Sequence, residues 1–419
     1  MMKVLVISTA PLHTNNSEGN TISNWFAGWD DVDFSCIYFR EALPNSVYCR
    51  KHLSISPINV VRNIIRPYNI GKIVDGSQVP VSYSMPSTEQ TVLGWKRMLV
   101  MPIIEVLYAS NIWFNRKVKS FIQEAKPDIV FMFSIPDSFR YNLLKYIKSN
   151  TRAQIVQCIV DDVYGATYIE RSFLNRIHRN RYHKLIKLSD KVYGISEEMC
   201  RIYSEKFGIN VQPLYKGCIV ATPKGYVNSP LRIVYAGNLL YGREKTLIAL
   251  IDAVNTVNRG DIKIELKIFS GSMPSINLET KMSQSVGTHF CGRKPYELIK
   301  EELHNADLVL HAESFEPEQI QIVRYSFSTK IIDCLQSGSV MLVIGPKGIS
   351  SVEYPKRIPG TIVIEKYEDI LTTLQSIICN PHELVEMAKL QTDYAIKYHS
   401  LPEVQKSLRN DFLKLLEKE

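Results

Sequence analysis

The stretch Val234-Tyr235-Ala236-Gly237-Asn238-Leu239-Leu240-Tyr241-Gly242-Arg243 decides how this chain is read. It opens inside an apolar run, residues 233–236, that suits a buried strand. Two glycines then flank a turn, and residues 245–258 carry apolar side chains at helical spacing. The whole is a strand–turn–helix unit. Gly237 lets a ligand approach the backbone closely, and Arg243 is placed to pair with a diphosphate in bidentate fashion. A plain loop with a solvated arginine is the alternative.

The same unit repeats along the chain. Apolar, β-branched runs at 4–7, 34–39, 129–133, 155–160 and 192–195 form one series, and runs at 233–236, 264–269, 308–310, 340–344 and 361–364 form a second. Runs apolar on both faces fit parallel sheets covered by helices. Helical patterns lie between them, at 115–125, 171–187, 245–258, 295–305 and 330–336. This alternation predicts an α/β fold with two doubly wound, Rossmann-like domains facing each other across a cleft. Pro213, Pro223, Gly225, Asn228, Ser229 and Pro230 give residues 212–230 the composition of a linker. The expected division is 1–212, 213–395 and a C-terminal helix, 396–419, with a break near Pro402, that packs on one of the two domains.

A second stretch concentrates chemistry: Phe327-Ser328-Thr329-Lys330-Ile331-Ile332-Asp333-Cys334-Leu335-Gln336-Ser337-Gly338. Ser328 or Thr329 is expected to cap a short helix, and Gly338 to end it. Lys330 and Asp333, three apart, share a face. Free N–H groups and the Lys330 ammonium at the helix start suit a phosphate, and Asp333 can accept hydroxyl hydrogen bonds from a ribose. A surface Lys–Asp pair is the bland reading.

Together these residues resemble the large GT-B group of glycosyltransferases that includes sucrose and glycogen synthases and many bacterial envelope-polysaccharide transferases (group 1, or family four). In that group a strand ending in glycine is followed by two basic residues that bind the donor pyrophosphate. Asn238 stands at the first of those positions and Arg243 at the second. The family's Glu-x7-Glu motif places Asp333 at its second, ribose-binding glutamate and Tyr325 at its first. Glu313, Glu316 and Glu318 are the candidates to replace that first glutamate. Phe290-Cys291-Gly292-Arg293 resembles the turn near the base, Ser270-Gly271-Ser272 a donor-side loop, and Lys216-Gly217-Cys218 the family's Asn-Gly turn into the second domain. The resemblance carries over Arg243 and Asp333; with the residues read directly, the expected donor set is Gly237, Asn238, Arg243, Glu313, Ser328, Thr329, Lys330 and Asp333.

The N-terminal half is expected to hold the acceptor. Thr9 to Asn20 follows the first strand, and in GT-B enzymes a glycine-containing loop there approaches the donor; Gly19 is the candidate. Relatives carry a histidine after the strand matching 129–133, where this chain has Phe133-Ser134. Asp161-Asp162 follows the strand at 155–160. Either carboxylate is a candidate to orient the acceptor hydroxyl or act as its base; capping the next helix is the alternative.

Composition narrows the remaining classes. Lys plus Arg total 50 against 42 Asp plus Glu, a net +8. That mild excess suits an anionic ligand or membrane surface, and the signatures of nucleic-acid binding are absent. Aromatic and aliphatic residues interleave with Lys96, Arg97, Arg116, Lys117 and Lys119 between 93 and 121, which reads either as a membrane-facing segment or as a core helix with a solvated basic face. The eight cysteines show no C-x-x-C pair and read as reduced, which points to the cytosol. No run approaches the roughly 20 apolar residues of a spanning helix. Asp31-Val32-Asp33 is a D-x-D, yet it precedes the second strand, and no zinc constellation, Walker A or nucleophile elbow occurs.

The expectation is therefore metal-independent, cofactor-free sugar transfer from a nucleotide-diphosphate sugar to a saccharide or lipid-linked acceptor. The resemblance implies retention at the anomeric carbon and a cytoplasmic or peripheral place in surface-polysaccharide synthesis. A nucleotide-sugar epimerase and a non-catalytic binding partner on the same fold are the rivals.

Overall fold

The computed structural model describes residues 1–12, 16–76, 94–165 and 173–417. The chain divides into two compact units, Met1–Leu214 with Gln405–Glu419, and Tyr215–Val404.

The first unit holds an eight-stranded sheet: β1 (Met2–Ser8), β2 (Val32–Tyr38), β3 (Cys49–Ser54), β4 (Lys72–Asp75), β5 (Ile129–Phe133), β6 (Gln154–Ile159), β7 (Lys191–Gly194) and β8 (Val211–Pro213). Their order is β4-β3-β2-β1-β5-β6-β7-β8. Every pair is parallel except β3 with β4. The second unit holds β9 (Leu231–Ala236), β10 (Ile264–Phe269), β11 (Thr288–Gly292), β12 (Leu308–Ala312), β13 (Val340–Ile344) and β14 (Ile362–Ile364). These run wholly parallel in the order β11-β10-β9-β12-β13-β14. Strand order reverses once in each sheet, beside β1 and beside β9. That reversal leaves a crevice at the carboxyl ends of the strands, where doubly wound sheets take their ligands.

β5, β12 and β13 are buried along their whole length, as strands with helices on both faces must be. Each unit has its own core, one built around Leu5, Ile37, Val130 and Ile155, the other around Ile233, Leu266, Leu310 and Leu342.

The C-terminal pattern resolves into the helices Glu383–His399 and Leu401–Leu416. The break falls at Ser400, and Pro402 sits in the first turn of the second helix, where its missing N–H costs nothing. Phe412 of that helix packs against Phe26, Trp29 and Phe131 in the first unit. Of the segment 93–121, residues 94–121 lie across two helices, Gly94–Ala109 and Arg116–Ala125. Tyr108, Trp113, Val118 and Phe121 from this region belong to the first core.

Candidate functional site

The crevice of the second unit opens between the ends of β9 and β12. Gly237 leaves β9 with its N–H donated to Phe269 O at 2.9 Å. A Cβ there would stand 2.6 Å from Tyr235 Oη and 2.7 Å from Lys330 Nζ, so only glycine admits both side chains. Tyr241 (φ 59°) and Gly242 (φ 71°) then take left-handed conformations and launch the helix Arg243–Val257. A Cβ on Gly242 would also meet Ser314 Oγ at 2.5 Å.

Arg243 is buried, and its planar fork is largely committed. Nε donates to Ala312 O at 3.1 Å and Glu313 Oε2 at 3.2 Å. Nη2 lies 3.1 Å from both Glu313 oxygens, and Nη1 donates to Asn238 Oδ1 at 2.6 Å. The bidentate partner of Arg243 is thus Glu313, not a ligand. One N–H of Nη1 is left to point elsewhere, since a guanidinium carries five. Asn238, at the family's first basic position, buttresses the arginine and is itself held by Tyr235 Oη on its carbonyl, 2.6 Å away.

Glu313 is almost fully buried (1% exposed). Burial pushes its pKa up, but the His311 imidazole and the Arg243 guanidinium outweigh that and bring it down to about 2. His311 Nε2 sits 3.0 Å from Oε1, close but without hydrogen-bond alignment. Burial opposes the charge of Arg243, yet Glu313 prevails and raises its pKa. Glu316 is spent on a surface pair with Lys245 at 2.7 Å, and Glu318 lies in the first turn of the helix Pro317–Val323. Of the three candidate glutamates, only Glu313 reaches the crevice side chains.

Lys330 begins the helix Lys330–Gln336 and is partly buried. Its ammonium makes no hydrogen bond or ion pair among the described residues. Burial first, then the nearby Arg243 charge, lowers its pKa to about 8. Asp333, one turn on, accepts from Lys216 Nζ at 2.9 Å and Tyr296 Oη at 3.4 Å, both on Oδ1. Oδ2 takes no hydrogen bond from the described residues. Neither Lys216 nor Tyr296 was assigned a role from the sequence; Lys216 lies 117 residues from its partner.

Two expectations at this helix fail. Thr329 occupies the cap position in a helical conformation (φ −58°, ψ −18°), from which its side chain caps nothing, and Ser328 donates its N–H to Ser351 Oγ. A side-chain cap needs an extended residue. The Ile331 and Ile332 N–H groups donate to Ser328 O and Thr329 O, so the first turn offers a phosphate less than expected. Gly338 does end the helix in the left-handed region (φ 72°).

Neighbouring loops knit onto the same end of the sheet. Ser270 N–H donates to Gly292 O at 3.1 Å, and Leu239 N–H to Ser272 Oγ at 3.4 Å. The segments 270–272 and 290–293 thereby border the Gly237 turn.

In the first unit the outcome differs. Gly19 is not in a loop. It lies in the first turn of the helix Ser17–Phe26, and Asn16 Oδ1 already accepts its N–H at 2.6 Å. Residues 13–15 of the same stretch lie outside the described residues. Asp162 Oδ1 accepts from Gly165 N–H at 2.8 Å and Tyr203 Oη at 2.7 Å, so this carboxylate caps a turn. Asp161 is exposed. Ser134, where relatives have histidine, is buried and donates to Gln157 Oε1 at 3.0 Å. Asp31 pairs with Arg409, and β2 begins between Asp31 and Asp33. Among the described residues no cluster of His, Cys, Asp and Glu is arranged to hold a metal ion, and no helix is long and apolar enough to cross a membrane.

No protein-family model matches the sequence, and no curated protein sequence matches it. Solved structures do match the fold. Sucrose-phosphate synthase from Thermosynechococcus elongatus superposes with a TM-score of 0.64 at 10% identity, covering 100% of both chains. Anabaena Alr3699/HepE in complex with UDP and glucose gives 0.60 at 12% identity, over 99% of this chain and 100% of that one. TarM gives 0.63 at 11% identity, over 98% and 99%. With two mostly parallel, doubly wound sheets and likeness along the whole chain to these proteins, the chain has the GT-B fold.

Proposed function

We propose that this protein transfers a sugar from a nucleotide-diphosphate sugar to a saccharide or lipid-linked saccharide acceptor. The observation that carries the reading is the charge at the β9/β12 crevice. Arg243 and Lys330 bring two positive charges there, and Glu313 supplies one negative charge. The excess charge falls on Lys330, whose ammonium has no hydrogen-bond or ion-pair partner among the described residues and stands beside a glycine backbone. A diphosphate supplies the missing anion. On departure of the sugar, the same two cations stabilise the charge developing on the leaving nucleotide. Asp333 holds a ribose hydroxyl with its second oxygen while Lys216 fixes the first.

No metal is needed for this scheme, because Lys330 and Arg243 perform the electrostatic work on the diphosphate. Asp161, at the carboxyl end of β6, is assigned to the acceptor. Retention at the anomeric carbon follows from the family resemblance. Two fold neighbours were solved with UDP, one of them beside glucose and the other beside GlcNAc, which makes UDP the first nucleotide to test. The reduced, mostly buried cysteines favour work on the cytoplasmic side, in building a surface polysaccharide.

The test is turnover of UDP-glucose and UDP-GlcNAc by the full chain, in EDTA, with saccharide and lipid-linked acceptors. Release of UDP with a new glycosidic bond supports transfer. Ser134 and Tyr325, standing where relatives have catalytic side chains, favour one second reading, a non-catalytic nucleotide-sugar binder. Tight UDP binding with no product on any acceptor would select it.

A further inference from the structure

The first unit carries an apolar surface that its own fold leaves uncovered. The helix Pro57–Arg62, the turn Pro67–Asn69 and β4 lie beside the helices Gly94–Ala109 and Arg116–Ala125. Their inward residues Val60, Ile70, Tyr108, Trp113 and Val118 already share one core. A helix on such a core ordinarily shows a polar outer face. Here the outer face is apolar as well. Ile58 and Val61 are exposed on that helix, and Ile65, in the turn that follows it, is 89% exposed. Tyr68, 67% exposed, and Ile73 continue the face, and Ile103 and Val106 extend it on the neighbouring helix.

The surface is rigidly built. Asn115 Nδ2 donates to Pro67 O at 2.6 Å and Ile70 O at 2.9 Å. Lys117 Nζ donates to Gly71 O, and Gly71 N–H to Asn59 Oδ1, each at 2.8 Å. Tyr68 and Ile73 flank one depression with Arg116, Lys117 and Phe121.

Charge decides what covers it. Arg62, Arg66, Lys72, Arg116 and Lys119 are all exposed around the apolar side chains. No acidic residue occurs from Pro57 to Ile73. Of the carboxylates nearby, Asp75 ends β4 on the strand that carries Lys72, Glu105 is engaged by Ser138 and Arg181, Glu124 accepts from Ser120, and Glu41 lies 3.9 Å from Arg62. An apolar patch rimmed by cations matches an anionic bilayer, whose phosphates meet the rim and whose acyl boundary takes the centre.

We propose that this face, centred on Ile58, Val61, Ile65 and Tyr68 and rimmed by Arg62 and Arg66, docks the protein on an anionic lipid surface. The face differs from the one that composition alone singled out. The aromatic residues Trp113 and Phe121 of that earlier segment are core, and the exposed apolar side chains come mainly from residues 58–73. The helix Pro57–Arg62 follows the carboxyl end of β3, the end of the sheet at which Asp161 follows β6. Docking there sets the acceptor end of this unit against the lipid, as a lipid-linked acceptor requires.

The experiment is co-sedimentation of the full chain, without nucleotide, with phosphatidylcholine vesicles with and without phosphatidylglycerol. Binding is expected only with phosphatidylglycerol. Arg62→Gln/Arg66→Gln should weaken it about thirtyfold, at roughly 1 kcal/mol per basic side chain near the surface. Ile65→Glu should weaken it too, with melting temperature and UDP binding unchanged. The proposal is overturned if the wild type ignores anionic vesicles or binds both kinds equally. It is also overturned if the protein is a dimer in solution that Ile65→Glu dissociates. Because no nucleotide enters the assay, failure here leaves the donor-site reading standing.

Discussion

Lys216 Nζ lies 2.9 Å from Asp333 Oδ1, and the lysine is almost completely buried. The contact ties the turn that opens the second unit to the helix proposed to hold the ribose. It engages one carboxylate oxygen, and the other takes no hydrogen bond from the described residues.

Lys216→Met should therefore act through Asp333. A charge-assisted hydrogen bond contributes about 1.5–3 kcal/mol, so nucleotide affinity should fall about tenfold to a hundredfold. Asp333→Asn, which keeps the shape and one acceptor, should lose less than Asp333→Ala. Calorimetric titration with UDP measures both. A Lys216→Met protein that melts earlier but binds UDP normally would make the pair purely structural.

Glu313→Ala should be among the most damaging single changes in the second unit. It strands the buried Arg243 guanidinium, and breaking a buried pair costs about 3–5 kcal/mol. Glu313→Gln should be milder, because the amide oxygen still accepts from Arg243. Urea denaturation orders the two variants. Equal loss in both would mean that the carboxylate charge, not the hydrogen bonding, is what Arg243 requires.

Lys330 predicts a pH dependence with two opposite signs. Its folded pKa, about 8, lies below the ordinary 10.5, so charging it costs the empty protein stability. Stability of the empty protein should rise as pH climbs between those values, relative to Lys330→Met. UDP affinity should fall over the same range, as the ammonium that meets the diphosphate loses its proton. Melting curves with and without UDP across that range read both signs at once.

The adjacent carboxylates of the first unit should separate cleanly. Asp162→Ala should cost roughly 1 kcal/mol of stability through its cap, with turnover lost only in proportion to unfolding. Asp161→Asn should reduce kcat. If both variants lose kcat without loss of stability, Asp162 also belongs to the chemistry.

The contrast between what sequence shows and hides has physical causes. Interior strands such as β5 and β13 are apolar on both faces, so residues 129–133 and 340–344 announce themselves. β4, β8 and β11 are edge strands, and β3 lies next to an edge. β3 exposes Arg50 and Lys51, β4 exposes Lys72 and Ile73, and β11 exposes His289 and Phe290, so none has the continuous apolar run. Arg243, Lys330 and Asp333 stand out in the sequence because each is a charged side chain in a short stretch beside a glycine turn. Their partners were not. Glu313, Glu316 and Glu318 look alike in sequence, and only the fold puts the first against Arg243. The one local hint was His311 two residues before Glu313 at a strand end, where alternate residues point to the same side. Thr329 misled because capping depends on backbone angles, not on residue type alone.

The most direct test of the donor site is the thermal shift of the wild type with UDP in EDTA, beside Lys330→Met. A saturating nucleotide at about 100 times its Kd stabilises by about 2.7 kcal/mol. The wild type should show that shift, and Lys330→Met should lose most of it while melting no earlier in the empty state. An equal shift in both proteins, or one that appears only with a divalent metal, would contradict the placement of the diphosphate at Lys330 and Arg243.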